Sequence, residues 1–343
     1  MESTRRPRLS PAIADLRRAV RELLPETGLV LVGLSGGADS LALAAATAFE
    51  APRAGLTAGA VIVDHGLQAS SADTAAVAAG QARQLGLDPV LIVPVAVPSN
   101  AGDGPEAAAR TARYAAFEQA LAGTGATAVL LGHTLDDQAE TVLLGLARGS
   151  GATSLQGMAP ISGRYRRPLL GIRRAVTRQA CLDAGLPAWS DPQNADTRYA
   201  RVRVRQRVLP VLEAELGPGI AEALARTAEA LREDADALDA LVQGLVGEIG
   251  EPAEAGIGVS VGALAVQPAA LRQRMIRHVV AREFGVALER SHTLAVARLV
   301  TDWHGQNALD LPGVRVERQG GMLLFSAPRH TPNKGLFRSH GTS

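Results

Sequence analysis

Residues 29–40 read LVLVGLSGGADS and constrain this chain more than any other stretch. An apolar run ends in Ser35, Gly36 and Gly37, and an alanine-rich run over 41–48 follows at once. A buried strand, a glycine turn and a helix start in that order aim several main-chain N–H groups and the positive end of the helix dipole at one point. The ligand expected there is an oxyanion, above all a phosphate. The alternative without a ligand is a Gly-Gly turn in which Asp39 and Ser40 help to cap the helix.

The kind of phosphate site can be narrowed. A Walker A loop needs Lys and Ser/Thr after its glycines, and the only lysine is Lys334, near the C-terminus. That reading is excluded. A dinucleotide fingerprint needs spaced glycines and an acidic residue about 20 positions later. Here the glycines are adjacent and Asp39 lies inside the turn. What remains resembles the SGGxDS loop of the PP-loop ATP pyrophosphatases, which cleave ATP between its α and β phosphates and adenylate a substrate. Ser35, Gly36, Gly37, Ala38, Asp39 and Ser40 are the expected ATP-binding residues. A carboxylate about 4 Å from a phosphate charge is repelled by roughly 4 kcal/mol at an effective dielectric near 20. If ATP binds, Mg2+ is therefore expected between the phosphates and Asp39.

At 343 residues the chain is long enough for two domains with their own cores. No apolar stretch approaches the roughly 20 residues that span a bilayer, and the first ten residues lead into no apolar signal region. A cytoplasmic protein without a membrane partner is expected. The one cysteine, Cys181, rules out an internal disulfide and any metal site built from two or four cysteines. Net charge is only +1, but residues 164–207 hold eleven Arg against three Asp. That local excess is an electrostatic footprint for a polyanion.

After a first helix over 11–24, capped by Ser10, strand and helix patterns alternate. Strands are expected over 58–64, 89–97 and 127–132, and helices over 72–85 and 105–121. Short apolar runs separated by helices predict an α/β fold with a doubly wound parallel sheet. Its ligand crevice lies at the carboxyl ends of the strands. Three chemically distinctive stretches fall there or on the next helix: Ser35–Ser40, Asp64-His65-Gly66-Leu67 and His133–Glu140.

His65 closes the second strand and is a candidate contact to adenine or phosphate; a strand-end histidine satisfied by its neighbours is the structural alternative. Glu106 and Arg110 form an i,i+4 pair on the next helix, which structure alone explains. Arg113 lies on the same face, within reach of a triphosphate or adenylate, or else simply solvated. In HTLDDQAET (133–141), Asp136, Asp137 and Glu140 gather on the first turn of a helix. Thr134 with Asp137 resembles a capping box, so helix initiation also explains these acids. Three acids beside a phosphate site nevertheless call for a cation, and the candidates are Mg2+ and a cationic substrate.

The stretch GHTLDDQAETVLLGLARGSGATSLQGM (132–158) resembles the segment that distinguishes tRNA(Ile)-lysidine synthetases from other PP-loop enzymes. SGGADS, VDHGL, Glu106-x3-Arg110-x2-Arg113-Tyr114, RPLL (167–170), DPQN (191–194) and YARVRVRQRVLP (199–210) match that family in order and spacing. Gln68 and Val202 depart from it, where the family often has Arg and Asn. The longer members also carry a further C-terminal domain that recognises the tRNA acceptor region, and this chain is expected to be a short form. The resemblance implies ATP-dependent ligation of L-lysine to C2 of cytidine 34 in tRNA(Ile) with a CAU anticodon. It further implies ATP contacts from His65 and His133, Mg2+ on Asp39, Arg113 on the α-phosphate, and lysine bound by Asp136, Asp137 and Glu140. Catalysis then rests on Asp39, Arg113, Asp137 and Glu140. Arg201, Arg203 and Arg205 are expected to meet tRNA.

The basic run at 199–210 is expected to be helical, with Val204, Val208 and Leu212 as its buried stripe. The domains expected are 1–215 for ATP and catalysis and 216–328 for tRNA docking or dimerisation, mostly helical with a small terminal β element. A disordered tail follows over 329–343. A homodimer is one assembly this leaves open. A PP-loop tRNA thiolase is disfavoured by the single cysteine, and an amide synthetase would need a separate glutaminase. A nucleotide-binding regulator without chemistry is the rival from another class.

Overall fold

The computed structural model describes residues 10–66, 71–96, 105–149, 151–189, 196–253 and 256–328. Gln68, the Glu106 side chain, the DPQN stretch and residues 329–343 lie outside the described residues. The chain divides into two compact units, Met1–Arg232 and Glu233–Ser343.

The first unit opens with α1 (Pro11–Leu23), β1 (Leu29–Gly33), α2 (Ala38–Arg53), β2 (Thr57–Asp64) and α3 (Ser71–Gln84). It continues with β3 (Val90–Pro94), α4 (Pro105–Thr124), β4 (Ala128–Leu130), α5 (Leu135–Ala147) and α6 (Ala152–Leu155). Two short strands follow, β5 (Ile161–Ser162) and β6 (Tyr165–Arg166), then a 3-10 turn and α7 (Arg174–Asp183). The sheet order is β3-β2-β1-β4-β6-β5. All neighbours are parallel except the β5–β6 pair.

Alternation along the strands explains why both faces are covered. Val30 and Val32 of β1 enter one core with Leu16, Leu41, Ala79 and Cys181, from α1, α2, α3 and α7. Leu31 points the other way, into a core with Val61, Val129, Phe117 and Leu121. Each buried Val, Leu or Phe among them contributes about 1.5–3 kcal/mol relative to exposure. Ser10 does sit at the N-cap of α1, but it makes no side-chain cap bond, and its hydroxyl instead donates to Asp183. The expected strands over 89–97 and 127–132 are shorter than their apolar runs, ending at Pro94 and Leu130.

The basic run is helical, as α8 (Ala200–Arg203), a π-helical turn (Val204–Val208) and α9 (Leu209–Leu216). Its buried stripe differs from the expected one. The wider π turn inserts one residue into the helical repeat, so Val204 is followed inward by Leu209, and Val208 is 42% exposed. Val204 and Leu209 pack with Leu135 and Ala139 of α5 and with Ala221 of α10 (Ile220–Ile249).

In the second unit, β7 (Gly250–Ala253) and β8 (Gly256–Ser260) precede α11 (Val261–Ala265), α12 (Ala269–Phe284) and α13 (Arg290–Thr301). The closing strands are β9 (Leu309–Leu311), β10 (Val314–Gln319) and β11 (Met322–Ser326), in an antiparallel sheet ordered β7-β8-β11-β10-β9. Val259, Val316, Leu323 and Phe325 form its core with Met275, Ile276, Val280 and Val296. The terminal β element is thus larger than expected, by the two strands β7 and β8. No described helix is long and apolar enough to cross a membrane.

Candidate functional site

The chain runs from β1 outward through β2 to β3 and then returns to β4 on the other side of β1. A crevice opens at the carboxyl ends of the strands where the order reverses, between β1 and β4. The glycine loop enters it from β1, His65 from β2, and the 133–140 segment from β4.

The loop after β1 is closed by its own serines. The Ser40 hydroxyl donates to the Gly37 carbonyl at 3.0 Å, accepts from the Ser35 N–H at 3.2 Å and lies 3.1 Å from the Ser35 hydroxyl. Gly36 has φ +83°, a conformation that L side chains rarely adopt. Its carbonyl accepts from the Trp189 N–H at 2.9 Å. Gly37 is the N-cap of α2 and has no side chain with which to cap it. Ser40 thus helps to close the turn, as the structural alternative expected, while the Asp39 carboxylate is turned to Arg174 and Thr177. The N–H groups of the first turn of α2 are left for an anion. Gly132 allows the second wall to approach: a Cβ there would lie 3.1 Å from the Asp39 carbonyl and from the Ser40 Cα.

The second wall begins with α5. Thr134 and Asp137 make the capping box read from the sequence, with Asp137 Oδ2 accepting from the Thr134 N–H and hydroxyl, both at 2.8 Å. That leaves Oδ1 for the crevice, where the Arg174 Nη2 donates to it at 2.6 Å. One carboxylate thus starts the helix and faces the site. Glu140, one turn on, has a side chain with no exposed surface. It accepts from Arg205 Nε at 2.7 Å and Nη2 at 3.1 Å, and from Arg174 Nη1 at 3.3 Å.

Arg174 is a site residue that sequence reasoning missed. It is the first residue of α7; its Nε donates to Asp39 Oδ2 at 3.2 Å, and its N–H to Asp136 Oδ2 at 2.7 Å. One guanidinium therefore bridges the glycine-loop wall and the acidic wall. Thr177, a turn later, donates its hydroxyl to the other oxygen of Asp39. Nothing local marks Arg174 among the eleven arginines of 164–207, because its partners are far away in sequence. The acids thus have internal cations, which the sequence argument for Mg2+ or a cationic substrate did not include.

The pKa shifts follow from this packing. Burial pushes the Asp39 carboxyl above the ordinary range, and the Thr177 and Arg174 hydrogen bonds only partly offset it. Burial also raises Asp137, but Arg174 and the Thr134 N–H outweigh it and hold the group below the usual value. For Arg174, burial is outweighed by Asp137, Glu140 and Asp39, which hold the guanidinium firmly charged. His65 is lowered by burial and then by the charge of Arg113, which puts Arg113 beside the β2 end of the crevice.

His133 is driven down from 6.5 to about 4, first by burial, with Arg167, Arg201 and Arg110 adding to it against Asp137. An unfolded chain therefore takes up a proton below pH 6.5 that the folded imidazole refuses until about pH 4. Stability from this group is complete above the unfolded pKa and falls as pH drops through that window, by about 3 kcal/mol at most. Urea unfolding of wild type and His133→Gln at pH 7 and pH 4.5 is expected to show a smaller acid loss in the variant. Equal losses would place the imidazole in solvent.

The basic helix divides by face. Arg201 and Arg205 turn toward α5, with Arg201 Nη2 on the Thr141 hydroxyl at 3.3 Å. Arg203 is exposed and donates to the carbonyls of Thr197 and Arg198. Beside the acids lies a cavity of about 160 Å3 lined by Asp136, Arg173, Arg205, Leu209, Pro210, Glu213 and Ala221. A second one of about 160 Å3 borders Gly36, Val77, Ala78 and Trp189.

The residues fit a nucleotide. The α2 start is uncapped, and the Nδ1 atoms of His65 and His133 are buried without a hydrogen-bond partner among the described residues. For Mg2+ the donor set is narrower, since no three His, Cys, Asp or Glu converge as a metal site among the described residues. Asp39 alone at the loop suits an ion whose other ligands are phosphates and water.

Comparison with known proteins adds family membership to this geometry. Residues 11–212 match the PP-loop domain family, and residues 260–324 the family described as the TilS substrate binding domain. The chain is 64% identical over 298 residues to the tRNA(Ile)-lysidine synthase of Leifsonia xyli subsp. xyli, covering 87% of this chain and 89% of that one. It is 53% identical to that of Thermobifida fusca, covering 92% and 98%. A solved structure, the U34-tRNA thiolase NcsA from Methanococcus maripaludis with its [4Fe-4S] cluster, superposes with a TM-score of 0.54 at 21% identity, over 65% of this chain and 79% of that one. At that identity the likeness concerns the fold alone.

Proposed function

The chain belongs to the tRNA(Ile)-lysidine synthase family, and from that membership and the two-walled crevice we propose that it ligates L-lysine to C2 of cytidine 34 in the CAU anticodon of tRNA(Ile). The observation that carries this reading is the shared guanidinium: Asp39 of the ATP loop and Asp137 with Glu140 lie against one Arg174 side chain. Phosphate site and acidic patch are two sides of one cleft.

The C2 carbonyl oxygen of the cytidine attacks the α-phosphate of ATP, and pyrophosphate leaves. The ε-amine of lysine then attacks C2 and displaces AMP, a far better leaving group than the original oxygen. Main-chain N–H groups of residues 35–40 hold the phosphates, with the α2 dipole behind them. Arg113 stabilises charge at the α-phosphate, and His65 and His133 contact the nucleotide. Mg2+ held by Asp39 and the phosphates would neutralise charge on the leaving pyrophosphate.

Lysine's ammonium, with a free pKa near 10.4, has to lose a proton before it attacks. Asp137, held ionised, binds that charge, and with Glu140 and Asp136 supplies the acceptors for the proton. The cavity beside them has Arg173 and Arg205 for the amino acid's carboxylate, and Asp136 and Glu213 for its α-amine. Arg203, exposed on the outer face of the basic helix, meets anticodon phosphates, with Arg201 and Arg205 behind it on the face turned toward α5, and the second unit docks the tRNA, a role that the substrate-binding match over 260–324 supports. The cytoplasm, where ATP, lysine and tRNA occur together, is the compartment this chemistry requires.

Purified protein with ATP, lysine and tRNA(Ile) transcripts is expected to release AMP one for one with lysine incorporated, and to leave methionine tRNA unchanged. AMP release independent of lysine would overturn the reading in favour of another PP-loop reaction. ATP binding without turnover would leave the regulator.

A further inference from the structure

Trp189 touches the glycine loop from outside it and takes no part in the reaction above. Its N–H donates to the Gly36 carbonyl at 2.9 Å. A trans peptide carries its C=O and its N–H on opposite sides, so whatever holds the Gly36 oxygen also sets where the Gly37 N–H points. With the oxygen drawn to Trp189, that N–H is turned to the other side of the loop, beside the N–H groups that open α2.

The next peptide is held from within. The Gly37 carbonyl accepts from the Ser40 hydroxyl at 3.0 Å and from the Leu41 N–H at 2.9 Å. The Gly36–Gly37 peptide lies between two residues without Cβ atoms, so it can turn over at little steric cost. Turned over, it would put a carbonyl oxygen where phosphate oxygens are to sit. No lysine stands in this loop to hold phosphates by side-chain charge, so the site depends on main-chain donors. The segment that carries Trp189 is itself fixed. Gln81 Nε2 of α3 donates to the Pro187 carbonyl at 2.7 Å, and the Leu186 N–H to the Cys181 carbonyl at 2.8 Å. Trp189 also lines, with Val77 and Ala78 of α3, the cavity beside Gly36.

We propose that the Trp189 N–H is a latch on the Gly36–Gly37 peptide, holding the Gly37 N–H toward the phosphate position in the substrate-free protein. Trp189 is thus a positioning residue that acts through its main chain. The inference rests on the reading that this loop binds the triphosphate.

The test removes that one N–H from the full chain by an amide-to-ester substitution at residue 189, made with the α-hydroxy analogue of tryptophan. ATP affinity is measured by calorimetry without lysine or RNA, so the outcome is separate from that of the AMP assay. The ester protein is expected to bind ATP about tenfold more weakly, as the loss of one hydrogen bond allows. Its melting temperature without nucleotide is expected to fall by no more than about 4 °C. In turnover with tRNA(Ile), the loss falls on the KM for ATP and spares kcat and the KM for lysine, a split that a merely structural role would not produce. Trp189→Phe, which keeps the N–H, is expected to bind ATP as wild type does. Unchanged ATP affinity in the ester protein overturns the proposal, as does a Trp189→Phe protein that loses as much as the ester. Should the ester protein fail to fold, Trp189→Pro, which also lacks the N–H, is titrated against the same outcomes. A wild type without ATP affinity would overturn the reading of the loop, and the latch with it.

Discussion

Asp137→Asn is expected to lower lysine transfer to adenylated tRNA by at least about 100-fold, while ATP binding stays close to wild type. The substitution keeps a side-chain oxygen to accept from the Thr134 N–H, so α5 still starts at Leu135. It removes the charge that faces Arg174 at 2.6 Å and that, in the proposed reaction, faces the substrate ammonium. In the proposed reaction the triphosphate contacts come from residues 35–40 on the other wall, so the first half-reaction has no direct dependence on this carboxylate. Single-turnover assays with labelled ATP and labelled lysine separate the halves. Adenylated tRNA accumulates in the variant; retained incorporation of lysine removes Asp137 from the site.

Glu140→Gln is expected to destabilise the first unit by about 3–5 kcal/mol, the usual cost of removing one partner from a buried ion network. The Glu140 side chain has no exposed surface and takes hydrogen bonds from both Arg174 and Arg205. Glutamine has nearly the same shape, so the loss reports charge and hydrogen bonding rather than a cavity. For a unit of this size the melting temperature falls by roughly 10 °C. Calorimetry of Glu140→Gln, Arg205→Gln and the double variant should give a coupling energy above about 1 kcal/mol. Additive losses would mean that the two groups act separately and that the network is not a unit.

Both predictions depend on a feature that local sequence describes only in part. The parallel sheet was legible because β1, β2 and β4 are short apolar runs bounded by glycine or polar turns, and buried strands look like that. The glycine loop and the α5 capping box were legible because each signal lies within a few residues. The stretch 199–210 is helical as its pattern predicts, but its buried face moves by one position at the π turn, a backbone choice that periodicity alone does not contain. Strands β7 and β8, GEPA and GIGVS, carry Gly and Pro that weaken any strand signal. They form because β8 pairs with β11, more than 60 residues further along the chain.

In the site the division is similar. Asp39, Asp137 and Glu140 stand out in the sequence as acids near a phosphate loop, and the structure brings them together. The capping reading of Asp137 and its site reading are compatible, because one carboxylate has two oxygens. The cation between the walls has no such signal, since eleven arginines in one basic segment give no local reason to choose the first residue of α7. The same holds for Thr177, which binds Asp39 across 138 positions of sequence.

A crystal structure of the chain with a non-hydrolysable ATP analogue and lysine tests the central claim most directly. The phosphates are predicted against the N–H groups of residues 35–40, with the ε-amine within hydrogen-bond distance of Asp137 or Glu140. Phosphates bound away from that loop, or an ε-amine on the far side of the sheet, would contradict it.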